Sequence, residues 1–145
     1  MHSLKILVEQ LDPELPLPRH AQPGDAGVDL YARTGGVLAP GEHTLVPTGI
    51  AVAVPEGHVG LIAPRSGLAA RHGISLVNSP GILDAGYRGE IHAVLINEGA
   101  EPFEYERGER IAQLVVVPFA TQEYEVVTEL PSSDRGDGGF GSTGA

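Results

Sequence analysis

Eleven residues at the end of the chain, Arg135-Gly-Asp-Gly-Gly-Phe-Gly-Ser-Thr-Gly-Ala145, set one arginine, one aromatic ring and two hydroxyls on a glycine-rich backbone. Arg135 offers a planar fork for phosphate, and Phe140 offers a face on which a ring can stack. The glycines, Gly141 among them, let successive N–H groups converge on an anion with no Cβ in the way. A nucleoside phosphate carries both an anion and a ring. Residues 131–145 are too poor in apolar side chains to pack alone. They are expected to form a flexible glycine-rich arm that closes over a ligand held by a domain of residues 1–130.

A second chemistry-bearing residue is Asp84, which follows the apolar, β-forming stretch Ile74-Ser-Leu-Val-Asn-Ser-Pro-Gly-Ile-Leu. An acid without a purpose would cost desolvation there. It is therefore the candidate general base, able to orient and deprotonate a water for attack on phosphorus. If the stretch folds as a hairpin, Asn78 faces the same pocket. Its amide can then donate to a base carbonyl while main-chain groups satisfy the rest. A base that matches these groups would fit, and one that does not would leave polar groups unpaired.

In Pro64-Arg-Ser-Gly67, the proline fixes the entry and the glycine frees the backbone, so Arg65, Ser66 and the following N–H groups can line up on one anion. The segment Gly-Lys-Ser/Thr is absent from the chain, which excludes a P-loop. Asp25 and Asp29 have two readings: organising Mg2+ through water, or pairing with an arginine. Asp29 reads as more structural than metal-binding. Magnesium keeps several waters and takes direct ligands from a triphosphate, so no dedicated cage is required. Arg110 can hold Glu90 or Asp29, or touch the ligand.

The formal charge of −10 argues against nonspecific nucleic-acid binding, which needs a basic surface. A phosphate must then meet a local positive site. Eight arginines stand against one lysine, and Arg65, Arg88, Arg107, Arg110 and Arg135 lie in glycine-rich segments. Cysteine is absent, which removes disulfides, thiolate metal sites and a cysteine nucleophile together. The six histidines lack HExxH spacing, so a structural zinc is not expected. With neither an apolar leader nor a membrane-length apolar run, a soluble cytoplasmic protein is expected, bound to no membrane.

The elements that must position these residues read as β. Twenty glycines and twelve prolines separate short runs rich in β-branched residues. The runs are Leu4–Val8, Thr44–Val54, Val59–Ala63, Ile74–Val77, Glu90–Asn97, Ile111–Pro118 and Glu123–Glu129. One helical turn or two is expected near Ser66–His72. The prediction is an all-β, jelly-roll-like sandwich. Leu114-Val-Val-Val-Pro118 is apolar on both faces, so it should lie between sheets or between subunits, and a trimer would cover it.

Five segments combine glycine with charge: Ala21-Gln-Pro-Gly-Asp-Ala-Gly-Val-Asp-Leu-Tyr-Ala32, Pro64-Arg-Ser-Gly-Leu-Ala69, Gly81-Ile-Leu-Asp-Ala-Gly-Tyr-Arg-Gly-Glu-Ile91, Arg107-Gly-Glu-Arg-Ile-Ala-Gln-Leu114 and the arm. In order, spacing and wording they resemble the five motifs of the homotrimeric dUTPases, over residues 21 to 144. The resemblance implies Mg2+-dependent hydrolysis of dUTP at the α-phosphate. The products, dUMP and pyrophosphate, would keep uracil out of DNA and supply thymidylate synthesis. It places Arg65, Ser66 and Gly67 on the phosphate chain and Gly81 in the substrate pocket. Tyr87 would lie flat against the deoxyribose, leaving no space for a 2′-hydroxyl, and Gln113 would donate to the α-phosphate or its water.

By the same resemblance Arg135 reaches the γ-phosphate, Phe140 covers uracil, and Gly141, Ser142 and Thr143 complete the arm's contacts. Each site would be shared among three subunits. Ala85-Gly86 departs from the Ser-Asp that many members carry before the tyrosine. Two competing readings are a dCTP deaminase on the same scaffold, which needs a catalytic glutamate, and a nonenzymatic nucleotide-sensing module.

Overall fold

A computed structural model describes residues 3–141. Among them are eleven strands and one short helix. The strands are β1 (Leu7–Gln10), β2 (Gly27–Tyr31), β3 (Gly36–Leu38), β4 (His43–Pro47), β5 (Ile50–Ala53), β6 (His58–Ala63), β7 (Ile74–Leu76), β8 (Gly81–Leu83), β9 (His92–Asn97), β10 (Phe103–Tyr105) and β11 (Arg110–Pro118). Helix α1 (Ser66–His72) lies between β6 and β7.

β9 shows why the sequence folds this way. Every second residue, Ala93, Leu95 and Asn97, is buried, as the two-residue period of a half-covered strand requires. It pairs with β4 and β7 in one antiparallel sheet, while β2, β11, β6 and β8 form another. The core is built from both sheets, with Leu30, Ile62, Leu83 and Leu114 joining Val46, Ile74, Leu76 and Leu95. Asn97 is buried without penalty because its amide donates to the carbonyls of Leu38 (2.9 Å) and Glu101 (2.8 Å) and accepts the Gly99 N–H (2.9 Å).

The all-β expectation and the helix at Ser66–His72 both hold, and α1 stops at Gly73, whose φ of +69° is the left-handed region. Several expectations change, and β1 begins at Leu7 instead of Leu4. Thr44–Val54 is two strands: β4 pairs with β9, whereas β5 pairs with β1. The chain changes partner at Thr48-Gly49, where Gly49 has φ +77° and the Thr48 hydroxyl donates to the Ile91 carbonyl at 2.6 Å. Glu123–Glu129 forms no strand, and Tyr124 and Val126 stand 84% and 97% exposed, since no ladder among the described residues reaches them. Leu114 is buried in the central strand β11, but Val115, Val116 and Val117 are only half-buried.

Candidate active site

The stretch 74–84 is not a paired hairpin. β7 bonds to β9 and β8 bonds to β6, so the chain between them crosses from one sheet to the other. That crossing brings Asn78, Gly81, Asp84 and Tyr87 to one cleft of about 310 Å³, with Ile62, Ile82 and Ile91 as apolar wall. A Cβ at Gly81 would lie 3.2 Å from Asn78 Nδ2 and 3.3 Å from Ile62 Cβ, so glycine keeps this part of the wall open. Asp84 is exposed in the single chain, hence the desolvation suggested by its apolar sequence neighbours is not supplied by this subunit.

The loop after β8 holds itself by local bonds. The Tyr87 N–H donates to the Asp84 carbonyl (3.1 Å) and the Tyr87 hydroxyl to the Glu90 carbonyl (2.9 Å). Arg88 folds back onto the Ala85 carbonyl at 2.6 Å. A Cβ at Gly89 would come 2.7 Å from Tyr87 Cζ, so the ring lies directly over this glycine.

A second cleft, of about 390 Å³, is lined by Asp25, Asp29, Arg65, Arg110 and Gln113, and shares no lining residue with the first. Asp29 on β2 stands between two guanidinium groups, with Arg65 Nε at 3.3 Å and Arg110 Nη1 at 3.6 Å. Of the alternatives open in the sequence, Arg110 therefore holds Asp29, and Glu90 goes to Arg33. Gln113 lies over Gly27 and donates its amide to the Pro64 carbonyl at 2.9 Å, which fixes the turn that presents Arg65. Ser66 and Gly67 open α1 and are exposed. The Asp25 carboxylate accepts the Gln22 N–H at 3.0 Å.

In the arm, Arg135 Nε donates to the Gly138 carbonyl at 2.6 Å, and Phe140 is fully exposed at φ +51°. Gly141 has φ +82°, whereas Ser142 and Thr143 lie outside the described residues.

Sequence reasoning missed Arg33. Its Nη1 donates to both Glu90 oxygens at 3.2 Å, and its Nε lies 3.4 Å from Asp12. Arg107 in turn bonds Asp12 (Nη2–Oδ1 3.0 Å) and Glu14 (3.3 Å). The Arg107 hydrogen bond holds the Asp12 carboxyl below the usual carboxylate range. Such a pairing across distant segments leaves no local sequence signal.

The body is all-β, with an acid-and-amide cleft, a separate arginine cleft and no P-loop. The chain belongs to the dUTPase family, whose profile matches residues 13–144. It is 53% identical over 143 residues to a deoxyuridine 5'-triphosphate nucleotidohydrolase of Streptomyces coelicolor, covering 98% of this chain and 78% of the relative. The enzyme of that name from Corynebacterium glutamicum is 56% identical over 140 residues, covering 96% and 94%. Among solved structures, a mutant dUTPase of Staphylococcus bacteriophage 80alpha with dUpNHpp superposes with a TM-score of 0.90 at 31% identity, covering 99% of this chain and all of that one. A mutant dUTPase from phage phi11 of S. aureus, whose structure describes a structural Mg(II) ion, gives a TM-score of 0.79 at 28% identity, covering 87% and 98%.

Proposed function

We infer that this protein is a dUTP diphosphatase, hydrolysing dUTP to dUMP and pyrophosphate. One observation carries the mechanism. Asp84, Asn78, Gly81 and Tyr87 share a cleft, while Arg65, Arg110 and Gln113 line another. In a homotrimer the Asp84 cleft of one subunit meets the Arg65 cleft of a second, and the arm of the third closes over both. Support comes from the half-buried Val115 to Val117 and from exposed Tyr124, Val126 and Leu130, apolar surface that neighbouring subunits would cover.

In that assembly, uracil sits in the Asn78 cleft and Tyr87 faces the deoxyribose. Asp84 takes a proton from water as the water oxygen attacks the α-phosphorus. The bond from that phosphorus to the bridging oxygen breaks, and pyrophosphate leaves. The guanidinium groups of Arg65 and Arg135 take up charge on the leaving phosphates, and Phe140 covers the base.

The described residues contain no group of three or more His, Asp or Glu side chains that could hold a metal ion, and Asp29 is committed to two arginines. This donor set does not fit a protein-held ion. Mg2+ then belongs to the substrate, arriving on the triphosphate with phosphate oxygens and water as ligands. No helix among the described residues is long and apolar enough to cross a membrane.

Incubation with dUTP and, separately, each of the four standard deoxynucleoside triphosphates tests the reading. Pyrophosphate should appear with dUTP and at no more than trace rate with the others. Ammonia released from dCTP would favour the deaminase.

A further inference from the structure

We propose that Glu90 is a positioning residue for the sugar-facing wall of the cleft and sets discrimination against a 2′-hydroxyl through Tyr87. This rests on the placement of Tyr87 against the deoxyribose. Glu90 touches the wall with its backbone and the body of the protein with its side chain. Its carbonyl accepts the Tyr87 hydroxyl at 2.9 Å, and His92 Nδ1 lies 3.1 Å from the same oxygen. Its carboxylate accepts the Gly49 N–H at 2.8 Å and both 3.2 Å bonds from Arg33.

Gly49 is the point where the chain leaves β4 for β5, and Arg33 follows β2. Glu90 thus ties the end of the 84–92 loop to the Arg33 and Gly49 segments, beside the bonds that Ile91 makes to Thr48 and Ile50. Tyr87 is exposed on its other side and has no comparable anchor of its own. What fixes its ring is the Gly89 backbone beneath it and the Glu90 carbonyl at its tip. A ring that excludes one hydroxyl must be held to a fraction of an ångström, since a pocket that merely tolerates an added hydroxyl rejects it only weakly. The Glu90 carboxylate supplies that constraint from behind the wall.

The test is the ratio of kcat/KM for dUTP to that for UTP, measured with melting midpoints for the wild type, Tyr87→Ala, Glu90→Ala, Glu90→Gln and Arg33→Met. Glu90→Ala should lower the ratio about tenfold or more, toward the value for Tyr87→Ala. Glu90→Gln should stay within about threefold of wild type, because an amide oxygen in the place of Oε2 still accepts from both the Gly49 N–H and Arg33. If Glu90→Ala does not fold, Arg33→Met decides by the same ratio, and an unchanged ratio there overturns the proposal.

A purely structural Glu90 would lower activity on both nucleotides together and leave the ratio unmoved, which also overturns it. So would a Glu90→Gln ratio as low as that of Glu90→Ala. If Tyr87→Ala leaves the ratio unchanged, the Tyr87 assignment fails and takes the proposal with it. If Tyr87→Ala lowers the ratio and Glu90→Ala does not, the proposal alone fails.

Discussion

The loop of residues 84–92 and the Asp29 cluster are held by opposite means. The loop closes through bonds between residues one to three apart, and its last residues reach away, Glu90 to Arg33 and Gly49 and Ile91 to Thr48 and Ile50. The cluster is made by charges brought together from β2, β11 and the turn before α1. The difference follows from the ligand parts each would meet. A neutral base and sugar can be met by a wall formed in advance, with no charge to neutralise. If these guanidinium groups meet a triphosphate, as proposed, they need a carboxylate to hold them apart and in place. Asp29 fills that role here, and such partly exposed pairs are weak enough to exchange for phosphate. The arm has local bonds, such as Arg135 Nε to the Gly138 carbonyl, and the ligand is expected to supply the rest of its order.

The largest expected effect breaks the loop side. Asp84→Asn should cut turnover by roughly 10²–10⁴ while leaving dUTP affinity within about tenfold. Steady-state kinetics with a binding assay will separate the two, and activity above about a tenth of wild type would remove Asp84 as the base.

Truncation after Leu130 acts on neither cleft. Melting and oligomeric state should stay nearly unchanged, while efficient hydrolysis is lost. In the intact protein, amides of residues 131–141 should exchange freely and become protected by dUpNHpp with Mg2+. Protection before ligand is added would contradict ordering on binding.

On the charged side the effect should be smaller. Asp29→Asn frees both guanidinium groups from their fixed geometry, so KM for dUTP should rise about five- to tenfold. Binding of dUMP, which lacks the outer phosphates, should hardly move. Equal weakening of both would place Asp29 in general stability instead.

Smallest of all is a pH effect remote from both clefts. The folded Asp12 carboxyl titrates below its ordinary 3.8 because Arg107 bonds it. Its stabilisation is present above the unfolded value and is lost as pH falls through the lower folded one. Asp12→Asn should therefore lower the melting midpoint slightly at neutral pH, and the gap from wild type should close in strong acid. A gap that persists there would mean that Asp12 acts by packing.

The parts of this fold legible in the sequence have long, regular patterns. β9 alternates over six residues, and α1 ends at a glycine that takes the left-handed conformation. β3, β8 and β10 have only three residues each, too few to show a period. Glu123–Glu129 has the composition of a strand, yet a strand needs a neighbour, and composition cannot say whether one lies in the same chain. In the first cleft, Asn78 and Asp84 were readable because they lie close in sequence, whereas Gly81 and Tyr87 came with the family resemblance. Arg33 and Glu90 are 57 residues apart, and only the fold brings them together.

The most direct test of the shared site mixes two inactive variants, Asp84→Asn and the truncation after Leu130, by unfolding and refolding them together in equal amounts. A site works when its cleft comes from the truncated chain and its arm from the full-length one. With random assembly each condition holds about half the time, so roughly one quarter of wild-type activity per subunit should return. A site closed within one chain, or by the arm of the subunit that supplies Asp84, can never unite both intact parts. Mixed trimers demonstrated by mass yet still inactive would contradict the account.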